Sequence, residues 1–143
     1  MPEPVDATEL ALRALRHRNR SRSDVDRRLD TAGVAPDERE AALDRLTEAG
    51  LLSDDRFAEE RAEALARRGA SDALIRLDLR RQGVDHAAVE HAIAQLTSED
   101  ERAVEVFERR GGGAKALRYL AGRGFAAETL ERLAGTDAPN ALE

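Results

Sequence analysis

The sequence predicts an all-α fold: tandem three-helix repeats, about three of them, stacked into an elongated, curved body. Three observations lead there. First, the 143 residues are 41% hydrophobic and 36% charged, with 3% aromatic. The apolar share is largely Ala and Leu, which, like Glu and Arg, lose little side-chain freedom in a helix, and strand-forming residues never cluster. Second, Gly33, Gly50, Gly69, Gly83 and Gly124 each follow an Ala/Leu/Arg-rich run, where a helix favours a left-handed residue to end on. Third, "RRLDTAGVAPDEREAALDRL" (27–46) superposes on "LDLRRQGVDHAAVEHAIAQL" (77–96), anchored on Gly33 and Gly83. Leu29 then meets Leu79, Val34 meets Val84, Leu43 meets Ile93 and Leu46 meets Leu96; upstream, Ser21 meets Ser71 and Val25 meets Ile75. A further copy, "LRYLAGRGFAAETLERL" (117–133), anchors on Gly124, with Leu120 and Phe125 at the same two positions.

The elements follow in order. Residues 1–7 and 135–143 are Pro- and Ala-rich and polar, and are expected to be disordered tails. The first repeat (8–49) should hold helices at 8–19, 22–32 and 36–49, the second (50–97) at 54–68, 72–82 and 86–97, and the third (98–134) at 99–110, 114–123 and 127–134. Starts are marked by residues suited to cap: Ser21-x-x-Asp24 and Ser98-x-x-Glu101 fit the capping box, Asp85 suits an N-cap, and Pro36 suits a first helical position. The third repeat offers Gly112 where the others have Ser21 and Ser71.

The stretch "LLSDDRFAEERAEALARRG" (51–69) poses the chemical question, because its "DD…EE" suggests either a metal site or a helix start. With Ser53 as N-cap, Asp54 and Asp55 fall in the first turn, where negative charge meets the positive end of the helix dipole. Leu52 and Phe57 then take the positions of a hydrophobic staple. Asp54 and Asp55, adjacent on a helix, do not converge on one point as cation ligands must, so the helix start is the favoured reading.

Other chemistry is thin. Without cysteine there are no disulfides, thiolate metal sites or thiol nucleophiles. His17, His86 and His91 are scattered, and "GGGAK" (111–115) lacks the strand and the GKS/T ending of a phosphate loop. No catalysis, cofactor or metal is expected. No apolar run is long enough for a bilayer and no signal peptide opens the chain, so the expectation is a cytoplasmic protein. The net charge of −6 argues against a protein whose main business is coating nucleic acid.

The arginines carry more. Arg16, Arg18, Arg20, Arg22, Arg27 and Arg28 crowd the first repeat; Arg67, Arg68, Arg76, Arg80 and Arg81 follow in the second; Arg118 and Arg123 sit in the third, beside Lys115. Acid gathers instead in Asp37, Glu38, Glu40, Asp44 and Glu48 and in first turns. Two readings stand: a basic stripe facing an acidic or phosphate-rich partner, or solvated faces laced with salt bridges.

"SRSDV", then "LDRLTEAGLLSDDRFAEERAEALARRG", "IRLDLRRQGV" and "LRYLAGRGF", in that order and spacing, resemble the RecX family of recombination regulators from about Thr8 to Ala134. The resemblance implies a monomer that binds the RecA recombinase filament along its helical groove and inhibits its ATP hydrolysis, strand exchange and coprotease activity. It also implies a weak DNA contact. The thirteen arginines just named are the residues expected to meet RecA or DNA phosphate. Arg39 stands where the repeat pattern asks for an apolar residue opposite Val89 and Leu130, and the chain is acidic where family members are often basic, which favours protein contact over DNA. The alternative is a helical protein–protein adaptor with a different partner.

Overall fold

The computed structural model describes residues 6–137. These form nine helices: α1 (Ala7–Leu15), α2 (Arg22–Thr31), α3 (Pro36–Glu48), α4 (Asp54–Arg67), α5 (Asp72–Arg81), α6 (His86–Ala94), α7 (Glu99–Arg109), α8 (Gly113–Gly122) and α9 (Ala127–Asp137). All substantial helix packing lies within the triplets α1–α3, α4–α6 and α7–α9. The fold is therefore the expected all-α chain of three-helix repeats.

Side-chain caps start most helices. The hydroxyls of Ser21, Ser53, Ser71 and Ser98 accept from the backbone N–H three residues on, as does the Asp85 carboxylate. Each satisfies one orphan donor of a first turn. Pro36 is the first residue of α3 and needs no such donor bond.

The positions that align between repeats are the closing elements of one helix-ending motif. At the end of α2, Val34 N–H donates to Leu29 O (3.0 Å) and Gly33 N–H to Asp30 O (2.9 Å), with Gly33 at φ +86°. The same pair of bonds recurs as Val84→Leu79 with Gly83→Arg80, and as Phe125→Leu120 with Gly124→Ala121. This Schellman closure demands a left-handed residue and presses an apolar side chain after the glycine onto one inside the helix. Leu29 and Val34, Leu79 and Val84, and Leu120 and Phe125 are accordingly buried together, pair by pair, in three separate cores.

Boundaries differ from expectation in three places. α1 ends at Leu15, not 19, because the Arg20 guanidinium turns back and donates to Ala14 O (2.6 Å), taking a carbonyl that the helix end leaves free. α6 ends at Ala94, with Leu96 N–H donating to Ile93 O. The tails are shorter than expected: Asp6 caps α1, Ala7 begins it, and α9 runs to Asp137. The rest of the two expected tails, 1–5 and 138–143, lies outside the described residues. The Leu52–Phe57 staple also divides: Leu52 is buried in the first unit's core, and Phe57 packs against the second's.

Each core is small and depends on few side chains. Leu79 is fully buried in the second. Leu79→Ala is expected to lower unfolding stability by about 2–5 kcal/mol, read from the midpoint of a urea denaturation curve.

Candidate interaction surface

The first-turn acids act between repeats. Asp54 Oδ1 accepts from the backbone N–H of Arg22 at 2.7 Å, so an acid starting the second unit caps α2 of the first. Glu99 Oε1 repeats this for α5, accepting from Asp72 N–H at 3.2 Å. Asp100, its neighbour, instead accepts from Thr129 (2.8 Å) and Arg132 (2.6 Å) within the third unit, and those bonds hold its carboxyl below the usual range. Burial, with Asp72 close by, pushes Glu99 up. No cluster of three or more His, Asp or Glu among the described residues is placed to hold a metal ion.

The arginines divide into neutralised and free. In the first unit Asp24 gathers three: Arg20 (3.1 Å), Arg27 (3.2 Å) and Arg28 (3.3 Å). Burial raises the Asp24 carboxyl, but the hydrogen bonds from Arg20, Arg28 and Arg27 outweigh it and hold the group low. The expected capping-box return from Asp24 to Ser21 N–H gives way to these bonds. Arg22 pairs with Asp44 at 2.8 Å. Arg76 lies along Glu90 in a two-bond fork of 2.7 and 3.1 Å. Arg123 donates to Gly69 O and Arg68 O at the end of α4 (3.5 and 3.4 Å). Six of the thirteen expected contact residues are thus engaged inside the chain.

The other seven, Arg16, Arg18, Arg67, Arg68, Arg80, Arg81 and Arg118, are exposed and make no ion pair among the described residues. They sit on several elements. Arg16 and Arg18 follow α1; Arg67 and Arg68 end α4; Arg81 ends α5, with Arg80 beside it; and Arg118 lies on α8. Of the seven, Arg68 lies at the border of the second and third units, where Arg123 reaches its carbonyl. Arg68, Arg110 and Arg123 are the C-caps of α4, α7 and α8. Arg110 stacks 3.3 Å from the centre of the Tyr119 ring, and the space a side chain would fill at Gly69 lies 3.5 Å from the Tyr119 hydroxyl. Arg123, four residues beyond Tyr119, shares its helix face.

Several structural arginines escape a reading of sequence alone. Arg39 joins Asp26 (2.9 Å), Asp30 (3.2 Å) and Val34 O (2.9 Å), so the polar residue at an apolar position ties α2 to α3. Arg61 forks onto Asp78 at 2.8 and 2.9 Å, and that bond raises the guanidinium above its ordinary range. Arg102, 7% exposed, binds Asp72, Ala70 O and Thr97 O. Arg110 had a signal available, since basic residues favour helix C-termini.

Two outcomes follow. Asp54→Ala should cost about 1–2 kcal/mol, because it removes a cap and strands an N–H; Asp55→Ala should stay within about 0.5 kcal/mol. Thermal denaturation with and without magnesium tests both, and magnesium should change neither. For Asp24, the folded pKa is depressed, so its stabilisation is present above the unfolded value of about 3.9 and is lost as pH falls through the folded value. Asp24→Asn should therefore destabilise by about 1 kcal/mol at pH 7, and the deficit should shrink as pH falls below 4 in urea titrations.

No family model matches the chain. It is 34% identical over 140 residues to regulatory protein RecX of Pseudomonas syringae pv. tomato, covering 91% of this chain and 90% of that protein. It is 34% identical over 139 residues to regulatory protein RecX of a Pseudomonas fluorescens strain, covering 90% of each, and 32% identical over 141 residues to that of Stenotrophomonas maltophilia, covering 92% and 86%. A crystal structure of RecX from Lactobacillus salivarius superposes with a TM-score of 0.76 at 20% identity, covering 91% of this chain and 93% of that one. A second crystal structure of regulatory protein RecX gives 0.73 at 21%, covering 90% and 70%. The fold thus agrees with known structures, and identity above 30% over nine-tenths of both sequences means that this chain belongs to the RecX family of regulatory proteins.

Proposed function

We propose that this chain is a regulator that binds the RecA–DNA filament and inhibits RecA's ATP hydrolysis, strand exchange and coprotease activity. It acts as a monomer in the bacterial cytoplasm, by contact and without catalysis of its own. The observation that carries this is the end-to-end likeness to regulatory RecX proteins. The free cations support a charged contact. Arg67, Arg68 and Arg118 are exposed and without ion pairs among the described residues; Arg68 precedes Gly69, which lies against Tyr119, and Arg118 is on α8. Positive charge so placed on a chain of net charge −6 is local and directional, and suits discrete carboxylates or phosphates on a partner. Arg16, Arg18, Arg80 and Arg81 extend the contact. Arg20, Arg22, Arg27, Arg28, Arg76 and Arg123 support it through their internal bonds.

The net negative charge also favours a second reading, a helical adaptor for another protein. ATP hydrolysis by the cognate RecA on single-stranded DNA separates the two. Substoichiometric protein should suppress the rate, whereas an unchanged rate leaves the adaptor standing. The triple variant Arg67→Glu, Arg68→Glu, Arg118→Glu should need at least about tenfold more protein for half-inhibition, which corresponds to about 1.4 kcal/mol of binding. Undiminished inhibition by that variant, with helical content intact by circular dichroism, removes those residues from the contact.

A further inference from the structure

The borders between units share one design but differ in strength. At each, the first turn of a middle helix leans on the glycine turn of the following unit. A side chain at Gly83 would come within 2.5 Å of Ser23 Cβ, and one at Gly124 within 2.6 Å of Ser71 Oγ. At each, an acid from the next unit caps that helix, Asp54 on Arg22 N–H and Glu99 on Asp72 N–H.

Beyond these shared contacts the second border is tied several times over. Arg102 crosses it to make a 2.8 Å ion pair with Asp72 and a bond to Ala70 O, with its side chain 8% exposed. Arg123 crosses it to reach the end of α4, and Ser71 N–H donates to Arg123 O (3.3 Å). Val106 and Tyr119 lie against Gly69, and Leu74 against the Gly124 turn. Breaking a buried ion pair by removing one partner is strongly destabilising, so unit 3 cannot leave unit 2 cheaply.

The first border has little of this. Among the described residues no ion pair crosses it. Besides the Asp54 cap it holds an exposed bond from Asn19 to Glu60 (2.9 Å) and the connecting turn, in which Leu52 is buried in the first unit's core and Arg56 forks onto Gly50 O. Two open cavities flank the Arg22–Asp54 contact. One, of about 450 Å³, is lined by Ser23, Asp26, Arg39 and Gly83; the other, of about 440 Å³, by Thr47, Gly50, Arg56 and Asp85. Space on both sides of a single short bond leaves room for a rigid-body turn about it.

We propose that the first border is a pivot: unit 1 turns as a rigid body about the Arg22–Asp54 contact, while units 2 and 3 move as one. With Leu52 turning as part of unit 1's core and the hinge falling after it, the three cores stay separate, so the motion exposes no core side chain. The device lets one end of the chain adjust to a partner already held by the other, without local unfolding.

The chain lacks cysteine, so pairs of spin labels can be placed without background. The full-length chain labelled at Glu38→Cys and Ala87→Cys reports the first border, and at Ala87→Cys and Glu131→Cys the second; all three residues are exposed. Pulsed electron–electron resonance should give a distance distribution at least about twofold wider for the first pair. Asp54→Ala should widen the first and leave the second unchanged, and Arg102→Leu should widen the second. Equal widths in the unsubstituted background overturn the pivot whatever the variants do. An unmoved first distribution in Asp54→Ala, folded by circular dichroism, overturns its assignment to this contact.

Discussion

The structure rests on how the start of each middle helix is satisfied. α2 and α5 begin at unit borders, at Ser21 and Ser71, both fully buried. An α-helix start carries four unpaired N–H groups, and burial makes each costly. The serine hydroxyl takes the third-position N–H in both helices. The first-position N–H is reached only from the next unit, by Asp54 or Glu99. The second helix of a unit is therefore completed by the first helix of the one that follows. α8 departs from this: its N-cap, Gly112, makes no side-chain bond. This is the logic of a repeat array, in which each unit completes its neighbour.

Charge serves the same architecture with the signs exchanged. In unit 1, Asp26 of α2 meets Arg39 of α3; in unit 2, Arg76 of α5 meets Glu90 of α6. Asp26 and Arg76 hold equivalent places in the repeat, whereas Arg39 aligns with Val89 and Glu90 with Glu40, so each unit ties the same two helices by its own pair of opposite polarity. Arg39 thereby replaces an apolar contact without stranding a buried charge, since its guanidinium has three oxygen partners. Much of the arginine density is consumed this way. The positive charge left over is spread over several elements: Arg16 and Arg18 after α1, Arg67 and Arg68 at the end of α4, Arg80 and Arg81 at the end of α5, and Arg118 on α8.

Local signals account for what was legible in the sequence. The glycine–valine and glycine–phenylalanine closures, the serine caps and the apolar periodicity are short-range, and they placed all nine helices within a few residues of their limits. The end of α1 was not local, because it depends on Arg20 folding back onto Ala14 O. The role of the aspartate doublet was half legible. Helix-start chemistry explained why acids stand at 54 and 55, and spacing alone disfavoured a metal. That Asp54 caps another unit's helix requires the relative placement of two units, which no one-dimensional pattern carries. The sorting of arginines failed for the same reason. Arg27 and Arg28 have a partner three and four residues away, which a helical reading can find. Arg22 with Asp44, and Arg102 with Asp72, are joined across helices.

The contrast between the two borders traces to one position in the repeat. Phe57 and Arg102 are each the fourth residue of a unit's first helix. Phe57 turns into its own unit's core, and nothing from that position reaches back to unit 1. Arg102 turns the other way, binding Asp72 and Ala70 O of the unit before it. Asp72 is in turn the counterpart of Arg22, so the latch needs a matched change on both sides: an acid at the start of α5 and an arginine on α7. Unit 1 offers Arg22 at that place, already paired with Asp44 within its own unit. With Phe57 turned into its own core and Arg22 already paired, no latch forms, and the first border keeps the Asp54 cap, the buried Leu52 of the connecting turn and the light contacts around them. Repeats with a common backbone can thus differ sharply in how firmly they are joined, through a side chain that either fills its own core or crosses to its neighbour.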